Sequence, residues 1–90
     1  MTERSLQVTY RKGCPFAAYL DLRHATGEKT ARTVAMPDGL LVIDYNGAGQ
    51  AVGVEINAPG AVSLARLNEL LAAIGQEPLT EREFQPMVAA

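Results

Sequence analysis

Hydrophobic and polar positions alternate with a period of two through most of the first sixty residues and with a helical period after that. In "SLQVTY", residues 5–10, Leu6, Val8 and Tyr10 point one way and Gln7 and Thr9 the other, the pattern of a half-buried strand. "RKGCP" interrupts it, because Gly13 permits positive φ and Pro15 lacks a backbone donor. "FAAYLDL" resumes with Phe16, Ala18, Leu20 and Leu22 on one face and Ala17, Tyr19 and Asp21 on the other, so the two segments predict a hairpin. "KTARTVAM" is rich in Thr and Val and fits a third strand, and Pro37-Asp38-Gly39 marks a turn after it.

"LLVIDY" and "QAVGVEI" give the clearest alternation. Leu41, Ile43 and Tyr45 share one face; Val52, Val54 and Ile56 share the other strand's matching face. A four-residue "NGAG" loop would pair Ile43 with Val52 and Leu41 with Val54, and a tighter Asn-Gly turn would keep the same faces together. After "NAPGAV", the period changes. Leu64, Leu67, Leu71 and Ile74 recur at helical spacing in "SLARLNELLAAIG", Leu70 widens the stripe, Ser63 is placed to cap the start and Gly75 the end. Thr80 with Glu83 spells a capping box, Leu79 and Phe84 its hydrophobic staple, and Pro86 ends that second helix.

The pattern predicts one α+β domain over residues 1–90: a mainly antiparallel β-meander of about five strands over 5–57, then an amphipathic helix and a short helical tail over 62–86. One helical stripe covers one sheet face. The other face is left showing Ala17, Tyr19, Leu40 and Val42, more apolar than a wetted surface requires, which predicts a homodimer contact there or along an edge strand.

Composition narrows the function classes. At 48% hydrophobic and 20% charged, the chain builds a packed core. One cysteine, Cys14, and one histidine, His24, leave neither a disulfide framework nor a zinc finger, and no metal or cofactor is expected. The longest apolar run, "GLLVI", is too short to span a bilayer, and "MTERSLQV" lacks the apolar core of a signal peptide, so a cytoplasmic, non-membrane protein is expected. The net charge of −2 divides into a basic first third (residues 1–33) and an acidic remainder. With no run of like charge, this asymmetry favours attraction within the fold over nucleic-acid binding.

Four sets of residues invite chemistry. "DYNGAGQAVGVE" places Asp44, Asn46, Gly49 and Glu55 at the first, third, sixth and twelfth positions of a calcium-type loop, but Ala48 stands at the fifth and the flanks are strands rather than helices. Hairpin geometry accounts for the segment better. Cys14 lies beside Arg11 and Lys12, and His24 is the only imidazole that could serve it as a base. A hairpin would hold the two roughly 20 Å apart. Arg11 and Lys12 with Tyr19 form a weak anion-binding set. Asp21, Asp44 and Glu55 follow the polar phase of their strands and would share the outer face, where solvated acids are commoner than catalytic ones.

"YRKGCPFAAYLDL" and "GLLVIDYNGAGQAVGVEI" together resemble the YuzE-like family of small bacterial domains of unknown function. Tyr10, Ala17, Tyr19, Leu20 and Leu22 fall on the first part of that pattern; Gly39, Asp44, Asn46, Gly49, Gly53 and Glu55 fall on the second and more specific part. The match spans residues 6–57. The usual "Y-D-x-E-A-D-A" is replaced here by "YRKGCPFAA", so any role of those acids does not carry over. The resemblance implies a small β-rich domain, no established activity, and a loose association of some members with paired genes of the toxin–antitoxin kind.

Three functions follow as expectations. The first is a non-enzymatic module that associates with itself, as a dimer, or with another small protein; the absence of a nucleophile–base–acid set supports it. The second is the neutralising partner of a small toxin. The third is an anion-binding protein or minor enzyme using Cys14, with Arg11, Lys12 and Tyr19.

Overall fold

The computed structural model of the chain describes residues 4–22 and 29–88. Five strands form a single sheet: β1 (Ser5–Arg11), β2 (Cys14–Asp21), β3 (Arg32–Ala35), β4 (Leu41–Tyr45) and β5 (Ala51–Ile56). Two α-helices follow, α1 (Leu64–Ala73) and α2 (Glu81–Phe84), with short 3-10 turns at Pro59–Ala61 and Gln85–Met87. The sheet is antiparallel throughout, and the fold is α+β with the helices after the strands, as the sequence pattern predicts. Among the described residues no helix is long and apolar enough to cross a membrane.

The strand order is β1-β2-β5-β4-β3. The β3-β4-β5 segment is a meander and β1-β2 a hairpin, joined where β5 lies against β2 in Greek-key fashion. Burial explains the order. Val52, Gly53 and Val54 are buried in succession, so β5 takes the centre with a neighbour on each side. The four-residue, Arg- and Thr-bearing β3 goes to an edge.

The β1–β2 hairpin runs further than the Gly13 and Pro15 signals suggest. Lys12 and Gly13 both adopt positive φ, as a two-residue primed turn demands, and pairing resumes at once between Arg11 and Cys14. Pro15 sits opposite Tyr10 beside a register shift, where the strand has no neighbour on its other side.

Ile43 pairs with Val54 and Leu41 with Ile56, two residues further along β5 than a four-residue loop allows. The cause is Asn46. Its Oδ1 accepts the backbone N–H groups of Ala48 (3.0 Å) and Gln50 (2.9 Å), its own N–H donates to the Gln50 carbonyl, and Gly49 takes φ 81°. The loop so organised holds residues 46–50, and Tyr45 faces Ala51 across a bulge. The inward and outward faces are unchanged, because the slip is by an even number.

One core lies beneath the sheet. Leu20, Leu22, Leu41, Ile43, Val54 and Ile56 meet Leu67, Leu70 and Leu71 of α1, with Leu79 and Met87 of the tail closing the end. Each such leucine stabilises by roughly 1.5–3 kcal/mol. The Ser63 hydroxyl accepts the Arg66 N–H at the start of α1. At its end Gln76 donates to Leu71 and Gly75, at φ 77°, to Ala72, a Schellman pair. The capping box at Thr80 and Glu83 is complete, and Leu79 and Phe84 join the same core.

The tail is fastened by polar contacts. Asn68 donates to the Leu79 carbonyl (3.1 Å) and accepts its N–H (2.7 Å). Arg4 donates to the carbonyls of Glu77 and Pro78 and pairs with Glu83 at 3.5 Å, so the basic first part of the chain does meet the acidic last part. The Tyr10 hydroxyl donates to the Pro86 carbonyl at 2.7 Å.

Candidate functional site

All the helical residues in the core pack on one side of the sheet, so the side chains of the other phase form an open face. Ala17, Tyr19, Val42 and Glu55 lie there half-buried. Leu40 does not join them. Held by an Asx turn, in which its N–H donates to Asp38 Oδ1 at 2.9 Å, it packs against the core instead.

The register assembles the centre of this face from three strands. Tyr19 of β2 pairs with Glu55 of β5, and Glu55 pairs with Val42 of β4. In the next row Asp21, Gly53 and Asp44 lie in line, Gly53 between the two acids. A Cβ at residue 53 would overlap the hydroxyl and Cζ of Tyr19, so the tyrosine ring occupies the space that glycine leaves.

Asp44 and Glu55 stand diagonally across β4 and β5, and their side chains are hydrogen-bonded to each other. Asp44 is only 4% exposed, and its Oδ1 has no hydrogen-bond partner. The bond to Asp44 holds the Glu55 carboxyl above its ordinary range; burial and the negative charge of Asp44 push the same way. The acids of this face are therefore not all solvated. Two of them form a pair in which the Glu55 carboxyl is easier to protonate than that of a surface glutamate.

Beside the pair, the face dips into a concavity lined by Gln7, Thr9, Ala17, Tyr19, Glu55 and Asn57. Glu55 thus connects the buried aspartate with the surface.

The remaining candidate residues do not converge on this centre. Arg11, Lys12 and Cys14 sit at the exposed β1–β2 turn, where the Arg11 guanidinium stacks on Phe16, 4.4 Å from the ring centre. Tyr19 is five residues further along β2, about 16 Å of extended chain, so the basic turn and the tyrosine do not share one anion site. His24 lies outside the described residues, and with it the pairing with Cys14. The polar atoms of Asn46 are engaged in its own loop, and Glu55 faces Asp44, not that loop. Among the described residues no three His, Cys, Asp or Glu side chains are grouped to hold a metal ion.

The sequence reading placed Asp44 and Glu55 on one face but missed their coupling and the burial of Asp44. A signal was present in Gly53: a glycine inside an otherwise apolar strand marks a close approach by something else. Comparison with models of known families, with curated proteins and with solved structures finds no match.

Proposed function

We propose that this chain is a non-enzymatic binding module that works in the cytoplasm through the open face of its sheet, pairing with a second copy or with another small protein. One observation carries the reading. Among the described residues the helical layer covers one side of the sheet, while the other side sets half-buried Ala17, Tyr19 and Val42 around buried Asp44 and half-buried Glu55. A solvated face has no need of that arrangement. Membership of the YuzE-like family is part of this reading, carried by the motif residues Asp44, Gly53 and Glu55, which together with Tyr19 make up the centre of the face.

Sedimentation of the purified chain from micromolar to millimolar concentration tests it. A dimer is expected, and Val42→Arg, which puts a charge in the middle of the face, is expected to yield a monomer with an unchanged circular dichroism spectrum. A monomer throughout, or a dimer indifferent to Val42→Arg and to Ala17→Arg, overturns the self-pairing.

A further inference from the structure

We propose that the Asp44–Glu55 pair is a receptor for an organic nitrogen cation, the guanidinium or ammonium group of a basic side chain, which binds at the Glu55 carboxyl in the concavity beside buried Asp44. The inference deepens the reading above, since it assumes that a partner meets the open face, and it supplies the chemistry of the contact.

The first ground is the unpartnered oxygen. Asp44 Oδ1 is buried and accepts no hydrogen bond. An acceptor left in that condition costs about 1–3 kcal/mol, and more when charged. No described Lys, Arg or His forms an ion pair with either acid. Among the described residues the pair is short of a donor that carries positive charge.

The second ground is access. Glu55 lines the concavity on the open face, so a cation arriving there meets the carboxyl that is hydrogen-bonded to Asp44. Gln7, Thr9 and Asn57 around the same concavity provide amide and hydroxyl groups for its remaining contacts.

The third ground is the kind of cation. A hard divalent ion seeks about six or more oxygen ligands, and here two carboxyl groups lie together with no third metal-binding side chain grouped with them among the described residues. A guanidinium needs less. Its planar fork meets carboxylate oxygens in pairs, and it is content against an aromatic ring. The chain shows that affinity twice in its own structure, with Arg11 over Phe16 and Arg32 over Tyr45, each 4.4 Å from the ring centre.

The exchange balances. To the extent that the raised Glu55 carboxyl holds a proton in the free protein, binding of a guanidinium releases that proton to solvent. Binding therefore strengthens as pH rises, by up to about tenfold per pH unit while Glu55 still holds its proton. Among the described residues the other titratable groups on this part of the face are Tyr19 and Asp21 of β2; Arg32 of β3 is turned to Tyr45.

Methylguanidinium chloride is the probe, with sodium chloride at equal ionic strength as control. Thermal melting is expected to rise with millimolar probe at mildly alkaline pH and to rise less at mildly acidic pH. The Asp44 and Glu55 carboxyl carbon resonances should shift with the probe. Glu55→Gln substitutes an amide shaped like the protonated acid, and it should keep the fold and abolish the response; Asp44→Asn should do the same. A response matched by sodium chloride, one that persists in Glu55→Gln, one confined to calcium or magnesium, or carboxyl resonances that stay still overturns the proposal. The wild-type resonances decide the matter even where a variant unfolds. A monomer that binds the probe would separate the failure of self-association from the failure of this site, and a dimer deaf to the probe would do the reverse.

Discussion

The ring of Tyr19 on β2 lies across Gly53 on β5, filling the place where any other residue at position 53 would carry its Cβ. The contact is diagonal: Tyr19 is paired with Glu55, and Gly53 with Asp21. It brings the aromatic ring to the row that holds Asp44 and so defines the centre of the open face.

Gly53→Ala should therefore destabilise the protein by about 1–3 kcal/mol, the usual cost of overpacking, despite alanine's lower backbone entropy. In a Tyr19→Ala background the same substitution should cost much less. A double-mutant cycle by chemical denaturation measures the difference, and additive effects of the two changes would show that they do not touch.

Stability should fall as pH rises above the ordinary glutamate range. The Glu55 carboxyl is raised in the folded state by its bond to Asp44, by burial and by the Asp44 charge. Its contribution is complete below the unfolded-chain value and is lost as pH climbs through the folded one. Glu55→Gln cannot titrate, so melting temperatures across mildly acidic to mildly alkaline pH should be flatter in the variant. A slope equal to that of the wild type would count against the pair.

Asn68→Ala should cost about 1–3 kcal/mol, because it removes both hydrogen bonds that clasp the Leu79 backbone in a partly buried place. The loss should be local at first. Hydrogen exchange is expected to speed up from Leu79 to Val88 before it does in β4 and β5.

Asn46→Ala should destabilise the β4–β5 hairpin by about 1–2 kcal/mol, since the loop amides of Ala48 and Gln50 lose their acceptor. The loss should be the same with and without millimolar calcium in a melting experiment. A calcium-dependent difference would restore the ion-loop reading of residues 44–55.

Much of the architecture was legible in the chain. Period-two alternation marked four of the strands and Thr/Val richness the third, the Leu67–Leu71 spacing marked the helix, and Ser63, Gly75 and the Thr80–Glu83 box marked its limits and the next start. These signals are local: each depends on residues a few positions apart, whose backbone geometry is dictated by their own side chains. Strand order was not of this kind. Which strand lies beside β2 is decided by which one must be buried on both sides, and that is a competition among all five. The β4–β5 register escaped too, because the Asn46 side chain gathered a loop one residue longer than glycine spacing implies and a bulge beside Tyr45 added a second residue.

The functional candidates divide along the same line. Sequence alone established that Asp44 and Glu55 follow the outward phase of their strands and that Gly53 breaks an apolar run. Only the tertiary structure decided that Asp44 is buried, that Glu55 bonds to it, and that Tyr19 from a strand more than thirty residues earlier covers the glycine. The physical reason is desolvation. A carboxyl group's behaviour depends on what excludes water from it, and here the excluding groups come from β2, β4 and β5 at once, brought together by the pairing of β5 with β2.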